Sequence, residues 1–296
     1  MENKETDILR TEILKLKEMT KALSKALFSV LPLPDKDRIE DVTVVMGVKN
    51  RVDSRIENAL KSIRSQDYPQ NLMKIIVVDY GSRIRYMMPL KNLCKTYGAQ
   101  YIRTRPTTFW NRGHCLNIGI KTAGTKYVLT SDVDIVFEKN YVGEAIKELQ
   151  KNPYQVISCD ILDLTENQKT DNIDVIKNYS LLKGKSKNRQ DLMNCYGKNI
   201  FGMGITMALK HFFAEISGYD ENYSIYGSED QDLAERLELL GLEIKNISDR
   251  TSYLHQYHPK FEGLSEDEKK QIEKNKEYKN KAYNIKRNLS GWGELP

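Results

Sequence analysis

The feature that most constrains the fold of this chain is an alternation of short apolar runs with helical segments. Apolar runs occupy residues 42–46, 74–79 and 126–130, and segments with helical periodicity lie between them. An apolar run of this length is typical of a strand buried on both faces, and strands joined by helices form parallel βαβ units. The pattern predicts an α/β fold with a mostly parallel central sheet flanked by helices.

Further elements continue this alternation toward the C-terminus. Helices are predicted at residues 55–65, 90–97, 115–123 and 233–240, and strands at 100–103, 156–164, 242–247 and 251–255. Residues 167–194 are polar and lysine-rich and are predicted to form a surface loop, whereas 200–209 are apolar and contain two glycines. We therefore predict one α/β domain over residues 36–264.

Two further segments flank the predicted domain. Apolar residues recur at heptad positions between residues 7 and 31, namely Leu9, Ile13, Leu16, Leu23, Leu27 and Val30. Residues 1–35 are thus predicted to be a helical segment that packs on the domain, pairs in a homodimer or lies on a membrane surface. Residues 265–296 are rich in Lys and Glu, which predicts a solvent-facing helix or a tail; contact with anionic lipid or a charged glycan is the other interpretation.

Composition excludes several classes of protein. A chain of 296 residues with 40% apolar residues can bury a full core, and its four cysteines contain no CxxC pair of the kind that binds zinc. The net charge of +5 permits a phosphate-bearing substrate without requiring nucleic acid. No apolar run approaches the roughly 20 residues that span a bilayer, and the acidic start does not resemble a signal peptide. We expect a cytoplasmic protein, with membrane contact at the periphery at most.

Carboxylates follow two of the predicted strands. Asp79 ends one strand, and Asp132 and Asp134 follow another. Ligands of parallel α/β sheets bind at the carboxyl ends of the strands. Side chains two residues apart in extended backbone point the same way, so Asp132 and Asp134 could converge on one divalent cation, which would neutralise a diphosphate. An ordinary surface turn is the alternative explanation of this D-x-D triplet.

Two of the four histidines, His255 and His258, lie three residues apart at the end of a predicted strand. A lone histidine is more often structural than a ligand. Two together, in a chain that already carries acidic metal candidates, leave metal binding and a structural role both open. A set of carboxylate and imidazole ligands suits Mn²⁺ or a similar ion.

A cluster of acidic residues begins the predicted helix near residue 230. Glu229, Asp230 and Asp232 follow an aromatic and glycine-containing stretch with Tyr223 and Tyr226. The helix macrodipole and capping explain one or two of these carboxylates. A third indicates chemistry, because a carboxylate here could act as general base on an acceptor hydroxyl while the aromatic rings offer a face to a sugar.

Five motifs, taken in order, resemble the catalytic domain of the β-1,4-galactosyltransferases and are similar to the polypeptide N-acetylgalactosaminyltransferases and the bacterial chondroitin-type polymerases. They are FWNRGHCLNIG at 109–119, SDVD at 131–134, FGMG at 201–204, GYD at 218–220 and YGSEDQD at 226–232. The resemblance spans roughly residues 42–259. It implies a GT-A fold and a transferase that moves a sugar from a UDP-sugar to an acceptor hydroxyl, with Mn²⁺ or Mg²⁺ and with inversion.

The resemblance also implies a role for each matching residue. Donor-binding roles fall on Asn50, Arg51, Asp79, Trp110, Arg112 and Asp132. Asp134 would ligate the metal with His255 and His258, whose spacing matches the two later ligands of the family apart from an offset of one residue. Asp230 would be the general base, and Glu229 and Tyr226 would hold the acceptor. The implied partners are a UDP-sugar donor and a glycan, lipid-linked or protein acceptor.

The chain departs from the family at two points, and two other functions stay open. The tryptophan-glycine repeat of the galactosyltransferases is replaced by Ser-Ile-Tyr-Gly at 224–227, so galactose transfer to N-acetylglucosamine is not implied. From this sequence we also expect no counterpart of the family's membrane anchor. A nucleotidyltransferase would use similar aspartates, although Gly47 does not start a glycine-rich phosphate loop. A non-catalytic sugar-nucleotide-binding or dimerisation module is the third hypothesis, disfavoured by the intact Asp134, Asp230 and histidines.

Overall fold

The computed structural model describes residues 40–105, 109–189, 204–259, 265–279 and 284–295, with scattered residues between 12 and 26. The predicted N-terminal helix falls mostly outside the described residues. Those described between 12 and 26 are helical, and Leu16 and Leu23 are exposed on them. Motif residues 201–203 and the end of the lysine-rich stretch, residues 190–194, also lie outside the described residues. No helix of the described part has the length and apolar character needed to cross a membrane.

Apart from the helical residues between 12 and 26, the described residues form eleven strands, eight α-helices and a 3-10 helix at Gln70–Leu72. The strands are β1 (Val42–Val48), β2 (Met73–Asp79), β3 (Gln100–Arg103), β4 (Tyr127–Asp132), β5 (Ile135–Phe137), β6 (Gln155–Ser158), β7 (Ile161–Asp163), β8 (Lys187–Asn188), β9 (Thr206–Leu209), β10 (Glu243–Asn246) and β11 (Tyr253–His255). The helices are α1 (Ser54–Arg64), α2 (Ile84–Thr96), α3 (Arg112–Thr122), α4 (Tyr141–Lys151), α5 (Tyr179–Lys183), α6 (Lys210–Glu215), α7 (Glu229–Leu239) and α8 (Glu266–Lys279).

Seven strands form the central sheet, in the order β10-β6-β9-β4-β1-β2-β3. Strand β1 pairs in parallel with both β2 and β4, and only β9 of this sheet runs antiparallel to its neighbours. The predicted α/β architecture with a mostly parallel central sheet is confirmed. The carboxyl ends of β1, β2 and β4 therefore meet at one edge, where the predicted functional residues follow.

A second sheet has four strands, in the order β5-β11-β7-β8. Its strand β5 directly follows the turn after β4 in the chain. Strand β11 is antiparallel to β5, and His255 pairs with Ile135. Because Asp134 directly precedes Ile135, this register brings His255 beside Asp134. Strand β11 is also parallel to β7, where His255 pairs with Asp163.

The core has two halves, one on each face of the central sheet. All seven residues of β1 are buried, and successive side chains point to opposite faces. Val44 and Met46 belong to the cluster that includes α1, and Val45 belongs to the cluster that includes α3. Helix α3 approaches β1 closely at Gly119, where an added Cβ would lie 2.2 Å from Val45 Cγ1. A glycine at this position lets the helix that starts at Arg112 sit directly on the sheet.

Several boundaries differ from the prediction. The predicted strand 156–164 is wrong as a single element, because it divides into β6 of the central sheet and β7 of the second sheet. The break falls at Asp160, whose N–H donates to Ser248 Oγ at 2.7 Å and whose carboxylate accepts from Asn246 Nδ2. The predicted loop 167–194 contains α5 and β8. In α5, Tyr179 and Leu182 are buried in a small apolar cluster. Strand β5 and helices α4 and α6 were not predicted.

Candidate active site

Asp134 lies in the turn between β4 and β5 and is only 5% exposed. Its Oδ2 accepts a hydrogen bond from Arg51 Nη1 at 2.7 Å. Its Oδ1 is buried and has no hydrogen-bond partner among the described residues. Burial alone would raise the pKa of this carboxyl, but the neighbouring His255 and Arg51 outweigh burial and lower that pKa. Asp134 is therefore a buried carboxylate with one oxygen still able to accept a ligand.

The two histidines of the predicted metal site meet Asp134. His255 Nε2 lies 3.8 Å from Asp134 Oδ1, and His258 Nε2 lies 3.4 Å from Asp134 Oδ2. One ligand atom from each of the three residues lies within 4.8 Å of the others. Burial lowers the pKa of His258, which favours the neutral imidazole that binds a cation. One carboxylate and two imidazoles, with a buried Oδ1 lacking a partner, fit Mn²⁺ or a similar divalent ion.

Behind His255 lies Asp163, a residue that the sequence analysis did not select. Asp163 Oδ1 is 2.9 Å from His255 Nδ1, and Asp163 Oδ2 accepts from Arg189 Nε at 2.8 Å. Burial would raise the pKa of Asp163, but hydrogen bonds from Arg189 and His255 hold it well below its ordinary value. A carboxylate that binds one ring nitrogen orients the ring, so Asp163 turns Nε2 of His255 toward Asp134.

Asp132 and Asp134 face different partners, and the candidate ligand set includes Asp134 with the two histidines but not Asp132. Strand β4 ends at Asp132 and a turn follows, which breaks the two-residue alternation. Asp132 Oδ1 instead accepts a hydrogen bond from Arg112 Nε at 2.6 Å. Arg112 Nη1 also lies 3.8 Å from Glu229 Oε1, and its Nη2 donates to the carbonyl of Gly204 at 2.5 Å. Arg112 thus joins the aspartate after β4 to the acidic start of α7.

Glu229 and Asp230 occupy the first turn of α7. Burial, followed by the charge of Asp230, raises the pKa of Glu229 to about 7. Burial also raises the pKa of Asp230, against the opposing effect of Arg112. Carboxylates with raised pKa values suit proton transfer near neutral pH. Asp232 differs, because it is bound by Arg236 Nε at 2.7 Å and by Arg287, and so has a structural role.

Asn50 and Asp79 lie at the carboxyl ends of β1 and β2, where they meet through Ser82. The backbone N–H of Asn50 donates to Ser82 Oγ at 2.8 Å, and Asn50 itself has a left-handed φ of 54°. Asp79 is fully buried and accepts from the N–H of Ser82 at 2.8 Å and from the Tyr101 hydroxyl at 2.6 Å. Both predicted donor-binding residues therefore shape the loops at this edge of the sheet.

Trp110 and Tyr226 supply aromatic surface at the same edge. The Trp110 ring meets the Tyr80 ring edge-on with centroids 5.7 Å apart, and lies against Gly47, where an added Cβ would be 3.1 Å from Trp110 Cη2. The carbonyl of Trp110 accepts from the N–H of Ile225 at 2.7 Å, which ties the 109–119 motif to the loop before α7. Tyr226 in that loop is 57% exposed.

The central sheet, the aspartate after β4 and the acidic start of α7 together define an α/β domain of the GT-A class. The chain belongs to glycosyltransferase-like family 2, whose sequence profile matches residues 43–289. The resemblance stated from the motifs and the predicted GT-A fold are both confirmed.

Individual relatives are distant. A Drosophila melanogaster protein named polypeptide N-acetylgalactosaminyltransferase 13 is 23% identical over 239 residues, which cover 74% of this chain and 42% of that protein. The chain thus spans less than half of the length of this curated relative. Solved structures that share the fold include the following two. The mannosyltransferase PcManGT of Pyrobaculum calidifontis, in complex with GDP-Man and Mn²⁺, has a TM-score of 0.56 at 17% identity, over 86% of this chain and 68% of that one. S. aureus TarS 1-349 in complex with UDP-GlcNAc has a TM-score of 0.56 at 15% identity, over 78% of this chain and 64% of that one.

Proposed function

We propose that this chain transfers a sugar from a UDP-sugar to an acceptor hydroxyl, with Mn²⁺ or Mg²⁺ and with inversion at the anomeric carbon. The observation that carries the proposal is the position of Arg112 between two groups of carboxylates. It contacts Asp132, two residues from the metal candidate Asp134, and approaches Glu229, the neighbour of Asp230. One arginine therefore connects the side that would hold the donor phosphates to the side that would hold the acceptor.

The proposed ligands of the cation are Asp134, His255 and His258. A divalent cation bound there would neutralise the diphosphate and stabilise it as a leaving group. Arg51 is already on Oδ2 of Asp134, so Oδ1 is the carboxylate oxygen left for the cation. The PcManGT complex contains GDP-Man and Mn²⁺, and the TarS complex contains UDP-GlcNAc, which supports a nucleoside diphosphate sugar as the donor class.

The proposed reaction is a single displacement. The carboxylate of Asp230 takes the proton of the acceptor hydroxyl while the acceptor oxygen attacks the anomeric carbon of the sugar. The bond between that carbon and the diphosphate breaks, and the diphosphate leaves with its electrons. Glu229 would position the acceptor hydroxyl, and Tyr226 would offer its exposed ring to the acceptor sugar. Asn50, Asp79 and Trp110 would shape the pocket for the nucleotide.

Release of nucleoside diphosphate from a panel of nucleotide sugars tests this proposal. We expect slow turnover of one UDP-sugar in the presence of Mn²⁺ and its loss on addition of a chelator. Turnover that persists in chelator would contradict the metal site. If no nucleotide sugar of the panel releases diphosphate, and no nucleotide causes a Mn²⁺-dependent thermal shift, a non-catalytic role would be favoured. Incorporation of a nucleoside monophosphate into product would favour a nucleotidyltransferase.

A further inference from the structure

The turn that precedes α7 has an unusual backbone. Ile225, Gly227 and Ser228 all have left-handed φ angles, of 70°, 99° and 74°. A β-branched residue such as Ile225 rarely adopts this conformation, because its side chain crowds the backbone. Ser228 makes no side-chain cap hydrogen bond to the helix that it precedes. Contacts with the surroundings must therefore hold this turn, which leads directly into Glu229 and Asp230.

Two contacts hold the turn from opposite sides. On one side, the N–H of Ile225 donates to the carbonyl of Trp110 at 2.7 Å. On the other side, Nδ2 of Asn275 donates to the carbonyls of Ser224 and Tyr226, at 2.7 and 3.0 Å. These two carbonyls flank Ile225. The left-handed residue is therefore fixed at its own N–H and at the carbonyls on each side of it.

The side chain of Asn275 is buried and oriented toward the turn. It belongs to α8, a strongly polar helix, yet its side chain is only 2% exposed. Its Oδ1 accepts from Gln271 Nε2 at 3.2 Å, which orients the amide so that Nδ2 faces the turn. One turn further along α8, the Tyr278 hydroxyl donates to Asp220 Oδ2 at 2.9 Å, and the Tyr278 ring meets the Tyr223 ring at 5.3 Å. Helix α8 is thereby docked on the segment that contains the turn.

We propose that Asn275 is a positioning residue of the active site, which holds the 224–228 turn in its left-handed conformation and thereby sets the positions of Asp230 and Tyr226. This inference rests on the proposed function insofar as Asp230 is the general base. It assigns to the charged C-terminal helix a role in the acceptor side of the site. The hydrogen bonds of Asn275 go to Gln271, Ser224 and Tyr226, and none of them reaches the donor side, which is built from β1, β4 and the metal candidates.

The variant Asn275→Ala tests the proposal, with Lys274→Ala on the exposed face of the same helix as the matched control. Hydrogen exchange reports on the turn without reference to activity, through the amides of Ile225 and Tyr226. We expect these amides to exchange about tenfold faster or more in Asn275→Ala, because two hydrogen bonds to the turn are lost.

Donor turnover should fall roughly 10- to 100-fold, since a small displacement of a catalytic group has a large effect on rate. Mn²⁺-dependent nucleotide affinity should stay within about twofold of wild type, because Asn275 bonds to the turn itself, and the turn meets the donor side through the backbone carbonyl of Trp110 rather than through its ring.

Two results would overturn the inference. Unchanged exchange at Ile225 and Tyr226 would show that Asn275 does not hold the turn, and faster exchange with unchanged turnover would show that the turn does not position Asp230. Asn275→Leu keeps most of the side-chain volume without the hydrogen bonds. This variant replaces Asn275→Ala if the alanine variant binds no nucleotide. Loss of nucleotide binding in both variants would also overturn the inference. A wild-type protein without turnover of any donor would instead refute the proposed function, and the exchange measurement would still decide whether Asn275 holds the turn.

Discussion

Asp163 offers a test of the metal site that leaves every proposed ligand in place. Its Oδ1 lies 2.9 Å from His255 Nδ1, and this contact sets which ring nitrogen faces Asp134. Asp163→Asn retains a carbonyl oxygen that can accept from His255 but removes the negative charge. Asp163→Ala removes the acceptor as well. The two variants therefore separate the charge of Asp163 from its orienting hydrogen bond.

The expected magnitude follows from the position of Asp163 behind a ligand. Removal of such a partner typically weakens metal binding about 10- to 100-fold, or about 1.4 to 2.7 kcal/mol. Both side chains are largely buried, so solvent screens the contact only weakly. We expect Asp163→Asn near the lower end of this range and Asp163→Ala near the upper end. Arg189 loses its carboxylate partner in both variants, which adds to the effect.

Titration of Mn²⁺ followed by electron paramagnetic resonance of the free ion measures this affinity without a substrate. Asp160 supplies the matched control, because its carboxylate accepts from Asn246 and Asn188 and the structure gives it no contact with His255. Asp160→Asn should bind Mn²⁺ as the wild type does. Binding of Mn²⁺ to Asp163→Ala within about twofold of wild type would refute the assignment of Asp163 as the partner that orients His255.

Two further predictions concern the acidic start of α7. Burial raises the pKa of Glu229 from 4.5 to about 7, so the folded protein holds a proton that the unfolded chain releases between these pH values. The contribution of Glu229 to the free energy of unfolding is therefore fully present below pH 4.5 and is lost as the pH rises through 7. Urea denaturation across this window should show that the free energy of unfolding declines less with pH in Glu229→Gln than in wild type. An unchanged decline in the variant would contradict the raised pKa of Glu229. Asp230→Asn should keep Mn²⁺-dependent donor binding while transfer falls about 10²- to 10⁴-fold, as measured by product formation, and retained transfer would contradict its role as base.

The parts of the fold that could be predicted depend on local pattern. The buried strands β1, β2 and β4 are continuous apolar runs, and a parallel sheet places their carboxyl ends together whatever the remaining topology. For this reason Asp79, Asp132 and Asp134 could be assigned to one edge from sequence alone. The histidines could be assigned because they are scarce in this chain and follow a predicted strand.

The parts that could not be predicted depend on contacts between distant segments. The role of Asp163 follows from its pairing with His255 across β7 and β11, which are separated by about 90 residues of chain and carry no local signal of that register. The same is true of Asn275, one of many polar residues in a charged helix until its burial against the turn is known. The different partners of Asp132 and Asp134 arise from the turn after β4, which the D-x-D spacing does not reveal.

The central claim is that Asp134, with His255 and His258, holds a divalent cation needed for sugar transfer from a nucleotide donor. Comparison of wild type with Asp134→Ala in the nucleotide-release assay, with Mn²⁺ present and after chelation, tests it most directly. We predict that the wild type releases diphosphate from one donor only when Mn²⁺ is present, and that Asp134→Ala is inactive in both conditions although its thermal unfolding shows a folded protein. Equal, Mn²⁺-dependent release by folded Asp134→Ala would contradict the account.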